Sequence, residues 1–347
     1  MTVQKPLPSD DLDLIIEHTR EIWRNLSGTR FFITGGTGFI GTWLLESITH
    51  ANKHLQTDIR AVVLTRTPNI HAQRLPHIAS APSITFCSGD VLSFNFPDGS
   101  FDGVIHAATD VGNTQNTADY LAIFDVNVSG TRRVLDFAIE RGATRFLLTS
   151  SGAVYGVQPP ALQRLMENWQ GAPDPRQLGS AYGEGKRAAE WLSTAYARQY
   201  NLEAKIARIF ALIGPGMPLH GPFAAGNFIR DALEGKNITV NGDGSPRRSY
   251  LYAADMAIWL WHIFWYGKNT EAYNLGATAD LSIKELAEAV QHQIDPNLSV
   301  EVMQSSIPNA LPARYIPDTS KAQHKLGVRE YTPFSTALQK TIDWNRG

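Results

Sequence analysis

The chain has 347 residues, a formal net charge of −2 and 43% hydrophobic residues. That is enough for one large α/β unit, or two interleaved domains, with a real core. So balanced a charge predicts no polyanion-binding surface and no nucleic-acid partner. The single cysteine, Cys87, excludes an internal disulfide and a cysteine metal cluster. No metal is expected.

Residues Met1 to Asp13 carry acids and prolines but no apolar signal core, so a cytoplasmic protein is expected. Residues 12–26 then place Leu12, Ile15, Ile16, Ile22, Trp23 and Leu26 at near-helical spacing. This predicts an extra amphipathic helix, ended by Ser27-Gly28. It would either pack on the edge of the first strand or support a dimer.

Short apolar runs alternate with helical stretches from there on. Strands are predicted at 31–35, 60–65, 84–87, 103–107 and 145–149, and helices at 39–50, 117–141 and 181–200. Ala204 to Ile209 reads as a sixth strand. Such alternation predicts a doubly wound parallel sheet with helices on both faces. After residue 209 the texture changes, with Gly214-Pro215-Gly216, Gly242-Asp243-Gly244 and several prolines between 308 and 317. This part reads as a smaller domain over the carboxyl ends of the strands, where open α/β sheets bind ligands. The apolar tract Met256–Tyr266 is too short to span a bilayer. It reads as a buried or subunit-contact helix, and no membrane partner is expected.

Three motifs carry chemistry. Gly35, Gly38 and Gly41 follow a predicted strand and open a helix, the setting in which backbone approaches a dinucleotide pyrophosphate. At the end of the second strand an acid would bind the ribose of NAD, but Thr65 stands there, followed by Arg66. A guanidinium suits a 2′-phosphate by charge and by its forked donors, which favours NADP(H) and leaves NAD(H) as the alternative. Asp90, after the third strand, is expected near the adenine. Finally, Tyr182 precedes Lys186 by one helical turn, and Ser151 ends another apolar run. A phenol that ionises near pH ~10 is tuned by a same-face lysine. It can then exchange a proton with a carbinol oxygen while hydride moves.

In these motifs the chain resembles the extended short-chain dehydrogenase/reductase superfamily, in its nucleotide-sugar epimerase/dehydratase branch. The resemblance covers roughly residues 29–345. It rests on Thr34 to Gly41, His106-Ala107-Ala108, Asn127 to Thr131, Ser150 to Gly156, and the Tyr182/Lys186 pair. It continues through Arg208, Asn227, Gly242-Asp243-Gly244, Arg248, Asp255 and Asp318 to Ala322. It implies a Rossmann domain with a smaller, interleaved C-terminal substrate-binding domain. The expected division is a helical extension at 1–27, a dinucleotide domain at 28–208 and 237–268, and a nucleotide-sugar domain at 209–236 and 269–347. Thr37, Phe39, Ile40, Val91, Ala107, Ala108 and Asn127 would line the cofactor, with Tyr182 and Lys186. Ser151, Gly152, Asn227, Arg248 and Arg314 would touch a nucleoside-diphosphate sugar, with Arg247 an equal candidate beside Arg248. A homodimer through helices 117–141 and 181–200 is implied, with Leu121, Phe124, Leu135, Trp191 and Leu192 as apolar residues on them.

Departures from the family pattern select among reactions. Dehydratases of this kind follow the catalytic hydroxyl with an Asp-Glu pair, and decarboxylases keep a glutamate at the Ala153 position. Here Gly152 and Ala153 follow Ser151. What remains is an NADPH-dependent 4-ketoreductase acting on a nucleoside-diphosphate 4-keto-6-deoxyhexose, with an NAD-retaining 4-epimerase as the alternative. Less expected are a 4,6-dehydratase or decarboxylase, and least a non-catalytic NADP(H) sensor. Ala211 replaces an asparagine that often touches the substrate diphosphate. Thymidine, cytidine, uridine and guanosine diphosphate sugars all remain open, with the deoxythymidine diphosphate carrier favoured because 4-keto-6-deoxy intermediates are often carried on it.

Overall fold

The computed structural model describes residues 3–109, 119–308 and 310–346. Its centre is a seven-stranded parallel sheet. Six strands match the sequence reading to within two residues: β1 Arg30–Thr34, β2 Arg60–Thr65, β3 Ile84–Ser88, β4 Gly103–His106, β5 Arg145–Ser151 and β6 Glu203–Ile209. Between β6 and the seventh strand lie the short β7 Leu212–Ile213, β8 Ile238–Val240, β9 Arg247–Ser249 and β10 Leu251–Tyr252. The seventh is β11 Ala272–Leu275, and the order is β11-β6-β5-β4-β1-β2-β3. The order reverses between β1 and β4, which pair with Thr34 opposite His106. The crevice at such a reversal is the ligand site of this architecture.

The residues of β1 show how the sheet is clad. Phe31 meets Trp261 and Phe264 on one face, while Phe32 meets Phe94 and Phe137 on the other. Side chains alternate along a strand, so a run apolar at every position belongs between two cores. One face carries α1 Ser9–Asn25, α2 Phe39–Leu55 and, with α3 Pro68–Arg74, α4 Pro76–Ala79 and α7 Ala224–Leu233 elsewhere, α8 Ala253–Tyr266. The other carries α5 Tyr120–Glu140 and α6 Ala181–Gln199. Residues 117 and 118 of the predicted helix lie outside the described residues. Asp119 caps α5, its carboxylate accepting from Ala122 N–H at 3.0 Å.

α1 does not pack on the edge of β1. It lies across α8 and α2, with Trp23 edge-on to Trp261 at 4.6 Å. Buried Asp11 accepts from the Tyr252 hydroxyl at 2.5 Å and from Lys340 Nζ at 2.6 Å. With α1 on one side and the sheet on the other, α8 is enclosed, which is why it is apolar nearly all round. The tract 256–266 is therefore a core helix and not a subunit contact. Among the described residues no helix is long and apolar enough to cross a membrane.

Strand pairing also departs from the expected division at 237 and 269. β11 joins the main sheet, Ala272 opposite Ile206 and Leu275 opposite Ile209. The segment before α8 instead enters smaller sheets. There β8 pairs with β13 Val300–Val302, and β9 lies between β12 Asp280–Ser282 and β14 Arg314–Tyr315. α9 Ile283–Ile294, α10 Ser320–Leu326 and α11 Phe334–Arg346 complete the chain.

Candidate active site

Gly35 leaves β1 with φ +69, a left-handed conformation that favours glycine. A Cβ there would stand 2.4 Å from the Ala107 carbonyl carbon, so the turn and the end of β4 touch backbone to backbone. At Gly41 a Cβ would meet the Gly35 oxygen at 2.3 Å. Gly38 donates to the Gly35 carbonyl at 3.0 Å and precedes α2, whose first residues are Phe39 and Ile40. Only backbone without side chains fits this cradle, and its N–H groups open on a helix N-terminus, the form that holds a pyrophosphate. The residues present therefore fit a dinucleotide. Ala108 N–H donates to the Thr34 hydroxyl at 3.1 Å. Asp90 turns its carboxylate onto Leu92 N–H at 2.9 Å, and Val91 packs towards Gly130 of α5. Thr65 is buried at the end of β2, and Arg66 beside it is exposed.

The structure brings Ser151, Tyr182 and Lys186 together. Ser151 is the last residue of β5, and its Oγ accepts from Ala153 N–H at 3.1 Å. Tyr182 opens α6. Burial pushes its phenol up, and hydrogen bonds with Ser151 and Thr109 pull it back part of the way. Lys186 is 2% exposed, a value that leaves its charge almost no water. Its Nζ donates to the Thr149 carbonyl at 2.9 Å and lies 5.9 Å from the centre of the Tyr182 ring. Burial pushes this amine down to about 7, against the pull of Glu190. His106, below it, is held by the Thr34 and Thr131 hydroxyls at 2.7 and 3.0 Å. Burial and Lys186 depress it to about 3, so it stays neutral at physiological pH. Asn127 is buried, its amide donating to Ile123 O at 2.8 Å and accepting from the Thr109 hydroxyl at 3.0 Å.

The smaller unit supplies the facing wall. Tyr315 of β14 places its hydroxyl 3.4 Å from Ser151 Oγ, and its ring packs on Phe210 with centroids 4.6 Å apart. A Cβ on Gly152 would meet that hydroxyl and the Phe210 ring at 2.6 Å each, so a side chain at 152 would collide with this wall. Arg248 lies 5.5 Å from the Tyr315 ring, half-buried, and burial lowers its pKa, with the Tyr250 and Tyr315 phenols acting against that. Arg247 does not stand equal to Arg248: it is taken up by ion pairs with Asp280 and, at 3.3 Å, with Glu285. Arg314 is in register with Arg247, so it falls on the sheet face opposite to Arg248 and Tyr315. Asn227 is bonded to the Gly221 carbonyl at 2.9 Å and to Arg230 at 3.0 Å. Ala211 offers its carbonyl to Leu251 N–H.

Sequence reasoning passed over Tyr315, Phe210 and Thr109. Tyr315 lies in a proline-containing stretch without periodicity. The only signal for it was its place next to Arg314.

The architecture is a Rossmann-like α/β fold whose switch point gathers a glycine cradle, a serine, a tyrosine and a lysine. The profile of the NAD dependent epimerase/dehydratase family matches residues 31–276, and the chain belongs to that family. Among curated proteins it is similar to UDP-glucuronic acid decarboxylase 6 of Arabidopsis thaliana, 32% identical over 301 residues, covering 87% of this chain and 84% of that one. It is 31% identical over 300 residues to decarboxylase 2 of the same plant, covering 86% of this chain but 64% of the relative, so it spans just under two thirds of that protein. Among solved structures it resembles epimerase Mth375 of Methanothermobacter thermautotrophicus, with TM-score 0.78, 22% identity and 95% of both chains covered. It also resembles DesIV, the dTDP-glucose 4,6-dehydratase of Streptomyces venezuelae solved with NAD, with TM-score 0.76, 24% identity, and 91% and 97% covered. At these identities the structures speak to the fold.

Proposed function

We propose that the protein is an NADPH-dependent 4-ketoreductase acting on a nucleoside-diphosphate 4-keto-6-deoxyhexose. The observation that carries this reading is the set of groups around Ser151. The hydroxyls of Ser151, Tyr182 and Tyr315 meet there with Lys186 and Arg248, and the two residues after Ser151, Gly152 and Ala153, carry no ionisable group. Eliminating water or losing CO2 calls for further acid–base groups, whereas reduction of a ketone needs one proton donor. The bound dinucleotide would supply hydride to C4. Tyr182, kept protonated by burial, would donate its proton to the C4 oxygen. Ser151 would orient that oxygen, and Lys186 would hold the nicotinamide ribose. Arg248, on the side of Tyr315, suits the substrate diphosphate.

Incubating the protein with NADPH and 4-keto-6-deoxy sugar nucleotides tests this reading. Loss of absorbance at 340 nm with one deoxysugar formed per NADPH supports it. Turnover without net consumption of NADPH overturns it.

A second reading, the 4-epimerase, draws on the NAD dependence of the family and needs the same residues. Near-stoichiometric NAD released from the denatured protein would favour it. The similarity to UDP-glucuronic acid decarboxylases makes uridine diphosphate sugars the first carriers to try beside deoxythymidine ones. A homodimer through α5 and α6 is part of the same proposal. Leu121 is 78% exposed and Trp191 70%, whereas Leu135 and Leu192 belong to the protein's own core. Sedimentation equilibrium tests it.

A further inference from the structure

The ten residues after β2, Arg66 to Leu75, hold two arginines and a histidine but neither aspartate nor glutamate. α3 sets His71 and Arg74 three residues apart, and side chains at that spacing are neighbours on a helix. Arg74 reaches back to the glycine turn, where its Nη2 donates to the Thr37 carbonyl. Its Nε is buried without a hydrogen-bond partner among the described residues, and so is Nδ1 of His71. Burial alone shifts Arg74, downwards, with no acid to offset it. His71 is lowered by burial, then by Arg74 and by Arg66, so both arginines lie close enough to repel a proton on the imidazole.

Such an arrangement is unfavourable as it stands. Like charges repel, a half-buried guanidinium has lost water, and a buried donor without a partner costs about 1–3 kcal/mol. A doubly charged phosphate would reverse each of these, accepting from both guanidinium groups and from the imidazole. The position fits one phosphate. In this architecture the adenosine ribose lies between the glycine turn and the end of the second strand, and Arg74 and Arg66 stand at those two places. We propose that His71 and Arg74 complete, with Arg66, the site for the 2′-phosphate of the cofactor. This rests on the NADP(H) reading above and adds two residues to it. The N-terminal segment braces the site, since Gln4 N–H donates to the Arg74 carbonyl at 2.8 Å and Leu7 N–H to Glu46 at 2.9 Å.

The test is calorimetric titration of the full chain with adenosine 2′,5′-bisphosphate and with adenosine 5′-monophosphate, which differ only in the 2′-phosphate. The wild type is expected to prefer the bisphosphate by tenfold or more, roughly the worth of one charge-assisted contact. Arg74→Met and His71→Gln should each lose about tenfold for the bisphosphate and little for the monophosphate. Arg74→Lys should recover part of the loss. Equal weakening of both ligands by Arg74→Met would reduce Arg74 to a staple on the turn and overturn the proposal. So would a preference that survives both variants, because Arg66 alone would then carry it. A wild type with no preference would remove the NADP(H) reading itself.

Discussion

The hydroxyl of Tyr315 stands 3.4 Å from Ser151 Oγ, although 164 residues separate the two in the chain. The contact joins the end of β5 to the sheet of the smaller unit. It sets a third hydroxyl beside the two that the sequence made visible. Tyr315→Phe keeps the ring on Phe210 and removes only the oxygen. It should lower kcat/KM about tenfold, with little change in unfolding midpoint. An unchanged kcat/KM would make Tyr315 a wall residue and nothing more.

Tyr182 is the proposed proton donor. Tyr182→Phe should reduce kcat by about 100-fold or more, the usual worth of a positioned general acid. Dinucleotide affinity, measured by fluorescence titration, should stay near the wild-type value, because the glycine cradle lies on another loop.

Lys186 gives a pH signature in the unliganded protein. Its amine is pushed down to about 7 in the fold and titrates near ~10.4 in an unfolded chain. Between those values the unfolded state binds more protons, so this group makes stability rise with pH, and below about 7 its burial costs most. Lys186→Met removes that slope. The stability of the variant relative to the wild type should therefore fall from pH 7 to 9.5, by at most about 1.4 kcal/mol per unit. Urea unfolding at several pH values measures it, and parallel pH curves would contradict it.

Trp23 is fully buried in α1 and lies edge-on to Trp261. Trp23→Ala should cost about 3–5 kcal/mol of stability. Substrate KM should move little at temperatures where the variant is folded, since α1 packs on α8 and α2. Chemical denaturation separates this from a free-standing helix, whose loss would cost almost nothing.

Much of this protein is written locally. Phe31-Phe32-Ile33 is apolar on both faces, the glycines fall at the one place where backbone must bend and approach, and Tyr182 and Lys186 lie one turn apart. These patterns depend only on dihedral freedom and on the periods of strand and helix, so neighbouring residues suffice to reveal them. Partnerships between distant segments are of another kind. Arg247 and Arg248 are equal in the sequence, and only the register of β9 with β12 sends the first to Asp280 and leaves the second beside Tyr315. β11 is four residues long, too short for a period, and becomes a strand because β6 offers it an open edge. The amphipathic pattern of α1 announced a helix with an apolar face but not what would cover it. That was decided by α8, whose apolar surface exceeds what the sheet and α2 can bury, and closing it needed one more helix.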